Sequence, residues 1–170
     1  MHKLVRLPNW DARLVEYISE TRREGIILDW EFFNCASWVC GAIDAMTGTN
    51  IYEPFEGKSD SPISAWKMIK EHGFNSLADI VASQLPEKPL NRVARGDVVL
   101  YPTESIGEAA CERRRLVSDL PDYSALGMSV AVCLADPPVV WNLSEGGLVS
   151  VPLVDCVRAF AVGEALCHQQ

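Results

Sequence analysis

The hydrophobic pattern of this chain changes period once, at Arg95-Gly96-Asp97, and that change limits the fold more than any other feature. Before it, apolar residues recur at helical spacing; after it, they alternate as in half-buried strands. Four helices are expected first. One follows Pro8-Asn9 with Leu14, Val15, Tyr17 and Ile18 on its apolar face and ends by Gly25. The next starts at Cys35, with Val39, Ala42, Ile43 and Met46 on one face, Asn34 as N-cap and Gly48 as the left-handed stop. Ser61-Pro62 opens a third, running to Glu71 with Trp66 and Ile69 turned inward, and Ser76 with Asp79 caps a fourth that Leu85-Pro86 closes. Strands are then expected at Val98–Tyr101, Leu126–Leu134, Val139–Leu143, Leu148–Val151 and Val157–Val162, with a tight hairpin at Glu145-Gly146-Gly147. Helices followed by strands describe an α+β domain, its N-terminal helices packed on a C-terminal antiparallel sheet of about five strands.

The residues that bear on chemistry gather at the second helix. Cys35 occupies its first position, near the positive end of the helix dipole and beside unpaired backbone N–H groups. That setting lowers a thiol pKa and supplies donors for an oxyanion. A thiol nucleophile also needs an imidazole as base, and the chain has three histidines, His2, His72 and His168. His72 falls in the last turn of the third helix, where it reads as a capping residue, and His168 lies in the tail. Ahead of Cys35, Trp30, Phe32 and Phe33 are too aromatic for a solvated loop and are expected to bury against the helix flank. Trp38, Trp66 and Trp141 read as core, and Asp97 as a turn residue at a strand start.

Composition excludes several classes of function. The net charge of −8 and pI of about 4.8 oppose wrapping nucleic acid, which requires a basic face. No apolar run reaches the ~20 residues of a membrane span. Six cysteines, Cys35, Cys40, Cys111, Cys133, Cys156 and Cys167, show neither a CxxC pair nor Cys/His ligand spacing, so they read as reduced core thiols, with no metal and no cofactor expected. The N-terminus lacks the pattern of a secretory signal, which places synthesis and action in the same compartment. A single domain is expected over residues 1–163, with a tail at 164–170. Residues 102–124 form a long charged insertion carrying Glu112, Arg113, Arg114 and Arg115. An insertion of that length suits partner binding, the arginines lying in a solvated loop or an inter-subunit salt bridge.

A cysteine at a helix start, further helices, an RGDVV strand and a small antiparallel sheet together resemble the NlpC/P60 fold, a papain-like cysteine peptidase scaffold. The chain is more closely similar to a family of small tailed-phage proteins related to that fold, a domain of unknown function encoded near tail-assembly genes. The resemblance lies in RLPNWDARL at Arg6 to Leu14, FFNCASWVCGAIDAMTGTN at Phe32 to Asn50, the Trp66 to Gly73 helix, RGDVVL at Arg95 to Leu100, ALGMSVAV at Ala125 to Val132 and GGLVSVPL at Gly146 to Leu153. It implies that Cys35 takes the nucleophile position. The histidine position of the family falls on Ala125, the residue before the cysteine is Asn34 rather than Asp, and Asn142 is the nearest candidate for the third polar residue.

On this reading the chain is a structural component of a phage tail tip: a catalytically degraded NlpC/P60-like domain in a multi-subunit assembly. It is made in the host cytoplasm and carried in the virion tail. Its expected partners are other tail proteins, namely the distal tail ring, hub or central-fibre protein. The alternative is an active cysteine peptidase or amidase that cleaves cell-wall peptides during DNA entry. A third reading is an immunity or anti-defence protein of a prophage.

Overall fold

The computed structural model describes residues 4–30, 33–57, 60–102, 128–134, 139–144 and 146–165. Its helices are α1 (Trp10–Arg23), α2 (Cys35–Thr47), α3 (Pro62–Glu71) and α4 (Leu77–Gln84). Their ends follow the capping chemistry of the sequence. Ser61 and Ser76 accept hydrogen bonds from the backbone N–H groups of Ser64 and Asp79, and Gly48 closes α2 at φ 70°. On α1 the expected face holds for Leu14 and Ile18, but Val15 points to solvent and Thr21 is buried in its stead. Thr21 is drawn in by Trp38, whose indole Nε1 donates to the Thr21 hydroxyl at 3.2 Å.

Among the described residues the sheet has six antiparallel strands, one more than expected, in the order β2 (Glu87–Lys88), β7 (Arg158–Phe160), β3 (Val98–Pro102), β4 (Met128–Cys133), β5 (Val140–Ser144) and β6 (Gly147–Val151). β3, β4, β5, β6 and β7 are the expected five. The addition is β2, two residues long and therefore too short to show alternation. A separate parallel pair joins β1 (Val5–Arg6) to β8 (Glu164–Ala165), so the segment read as a tail begins with a strand.

Alternation along the strands builds two cores. Val98, Leu100, Val130, Val132, Leu143 and Phe160 face the helices and pack with Leu14, Trp38, Val39, Ile43 and Met46. The opposite face carries Val99, Tyr101, Ala131, Val140 and Ala159, covered by Leu90, Val93, Leu153 and Cys156. A third cluster, Phe55, Met68, Ile69 and Ile80, joins α3 and α4 to the 3-10 turn at Glu53–Phe55. Ile69 is inward as expected, while Trp66 is half-buried and Met68 takes the deeper position.

Candidate functional site

The start of α2 is held from several directions. The Asn34 side chain accepts from Ser37 N at 2.9 Å, and Ser37 Oγ accepts from Asn34 N at 3.0 Å, a reciprocal capping box. Asn34 Nδ2 donates to the Tyr52 hydroxyl at 3.1 Å, tying the cap to the Glu53–Phe55 turn. Just upstream, Asp29 and Phe33 exchange a pair of backbone hydrogen bonds at 2.7 and 2.8 Å. This tight loop turns Phe33 outward, 41 % exposed, against the expectation that it buries on the helix flank. Trp30 does pack on the helix-side core, and Phe32 lies outside the described residues.

Cys35 stands at the first position of α2 as expected, half-buried and packed against the helix-side core. One and a half turns on, burial and then the neighbouring Cys35 push the Cys40 thiol up to about 12. Cys40 lines an apolar cavity of about 60 Å³ between α2, α4, the Tyr52–Phe55 turn and the sheet. Cys133 and Cys156 are buried, and all four described cysteines are free thiols.

The other residues expected to join Cys35 lie elsewhere. Asn142 is fully buried on the sheet face opposite the helices, in phase with Val140 and out of phase with Leu143. Its Nδ2 donates to the Tyr101 hydroxyl and its Oδ1 accepts from Leu143 N at 2.8 Å. His72 caps α3, its Nδ1 donating to the Met68 carbonyl at 2.9 Å while its ring sits 4.9 Å from that of Phe55. Ala125, Glu112, Arg113, Arg114 and Arg115 lie outside the described residues, as do His2 and His168. Among the described residues no group of three or more His, Cys, Asp or Glu side chains could hold a metal ion, and no helix is long and apolar enough to cross a membrane.

A second constellation was not anticipated. Asp97, expected as an ordinary turn residue, is 2 % exposed and lies between Arg6 Nη2 at 3.3 Å and Lys88 Nζ at 2.5 Å. Its Oδ2 also accepts from Ala94 N at 2.8 Å. Arg6 in turn donates to the carbonyls of Val162 at 2.7 Å and Arg95 at 3.2 Å, and its guanidinium lies 4.2 Å from the centre of the Trp10 ring. Burial pulls the Arg6 pKa down, and Asp97 offsets part of that. Gly96 makes room for this cluster: at φ 83° a Cβ would lie 2.9 Å from both the Met46 sulfur and the Trp10 ring. The available signal was an arginine set between apolar neighbours in Leu4-Val5-Arg6-Leu7, a pattern that buries the charge if the segment pairs as a strand. These groups are occupied with one another and fasten the Val5–Arg6 segment to the start of β3.

A family model described as a domain of unknown function (DUF6950) matches residues 5–162, which takes in the four helices and the whole six-stranded sheet. No curated protein and no solved structure matches the chain.

Proposed function

This chain belongs to the DUF6950 family of domains of unknown function, and on that premise we propose that it is a non-catalytic binding domain with an NlpC/P60-like plan. It serves as a structural component of a phage tail tip, in contact with the distal tail ring, hub or central-fibre protein. The observation that carries the non-catalytic half is the position of Asn142. The nearest candidate for the third polar role lies across the sheet from Cys35 and is held there by Tyr101 and Leu143. By the resemblance, Ala125 falls at the position where an NlpC/P60 enzyme has its histidine. Without that base nothing takes the proton from the thiol and nothing protonates the leaving group. The tail assignment rests on the resemblance and fits an acidic chain that carries a long charged insertion.

One observation favours a second reading, an active cysteine peptidase or amidase: Cys35 stands at the first position of a fully capped helix. Mass spectrometry of purified particles of the phage that encodes the chain tests the proposal. Stoichiometric recovery with other tail-tip proteins supports it. Absence from particles, with the chain left free in the lysate, contradicts it.

A further inference from the structure

The two edges of the six-stranded sheet are finished differently. At one edge, β2 is two residues long, lies between Pro86 and Pro89, and carries Glu87 in a two-bond pair with Arg158 at 2.9 and 2.8 Å. Short length, charge and proline are the usual means by which proteins prevent an edge from pairing further. At the other edge, β6 runs for five residues, Gly147-Leu148-Val149-Ser150-Val151, without a charge or a proline. It bonds to β5 on one side, and among the described residues no backbone group bonds to its outer side. The unpaired N–H and C=O groups of such a strand are best satisfied by another extended strand.

We propose that β6 is a self-association edge, and that its occupant is the β6 of a second copy of this chain, paired antiparallel about a two-fold axis. Self-pairing is favoured by what flanks the strand. Beside its Gly147 end the chain passes with Leu28 N donating to Ser144 O at 2.8 Å, and the residue before it, Ile27, is left 51 % exposed. Beyond its Val151 end, the 3-10 turn Leu153–Asp155 packs a half-buried Leu153 against the far-face core and leaves Val154 89 % exposed. Antiparallel pairing brings the Ile27 end of each copy to the Val154 end of the other, so each exposed apolar side chain gains an apolar neighbour and the contact occurs twice, as an isologous interface requires. Charge points the same way. A chain of net charge −8 repels its copies over most of its surface, and this strand sets no carboxylate against another. Five paired residues make a contact smaller than a standard interface, so the dimer is weak and dependent on concentration.

Sedimentation velocity of the full chain from about 10 μM to about 1 mM tests this. A monomer–dimer equilibrium is expected within that range. Ile27→Lys or Val154→Glu alone should shift it at least tenfold towards monomer while leaving the melting temperature unchanged, since both side chains are exposed. The double variant carries complementary charges across the two-fold axis and should recover dimer beyond either single variant. A monomer throughout, a dimer indifferent to both single changes, or single variants whose defects merely add would each overturn the proposal. An edge that pairs only with a strand from another protein would overturn it too.

Discussion

Asp97 carries more of the fold than its place in a turn suggests. It is the carboxylate between two cations, one of them Arg6, itself 9 % exposed. Removing one partner of a buried pair strands the other in a poor solvent. Asp97→Asn is therefore expected to cost about 3–5 kcal/mol, read from urea denaturation. Cys40 offers a second prediction at this scale. Its thiol is raised from an ordinary 9.0 to about 12, chiefly by burial, so the folded state favours the neutral form. That contribution to stability is complete below pH 9 and is lost as the pH rises through 12. Iodoacetamide at pH 8 should consequently label Cys40 in the unfolded chain and leave it intact in the folded one, as peptide mass spectrometry would show. Neither residue declares itself in the sequence. Asp97 depends on Arg6 and Lys88, 91 and 9 residues away, and such pairings leave no local pattern.

The elements were legible wherever local chemistry decides them. Asn34, Ser61, Ser76 and Gly48 fix helix ends through bonds within a few residues, and the structure places α2 and α3 where those caps require. The five longer strands announce themselves by alternation. β1, β2 and β8, at two residues each, do not, because tertiary pairing alone makes them strands. The seam between α1 and α2 was also invisible. There Gly41 lets the helices approach until a Cβ would lie 2.4 Å from the Tyr17 hydroxyl, which donates to the Trp38 carbonyl at 2.9 Å. Burial raises the pKa of that hydroxyl and keeps it a donor. Gly41→Ala should force the pair apart and cost roughly 1–3 kcal/mol despite the better helix propensity of alanine, a balance that thermal denaturation would reveal.

At the scale of the molecule, the sheet separates the two residues that the sequence proposed as partners, Cys35 and Asn142. Cys35 lies beside the helix-side core, as its helical periodicity implied, whereas Asn142, offered by the sequence as its partner, lies in phase with Val140 on the other face. Only the assembled sheet shows that the two belong to different cores. The Val5–Arg6 and Glu164–Ala165 segments are brought together by the β1–β8 pair, Arg6 reaches the Val162 carbonyl beside it, and Gly163, at φ 61° with Leu4 O only 2.9 Å from where a Cβ would stand, allows that closure. The proposal of a non-catalytic binding domain therefore rests on a thiol at a helix start whose expected polar partner lies on the far face of the sheet. Incubation of the folded chain with purified peptidoglycan tests that claim most directly. Neither the native chain nor its Cys35→Ser variant should release soluble peptides or amino termini above buffer, whereas release by the native chain that Cys35→Ser abolishes would contradict it.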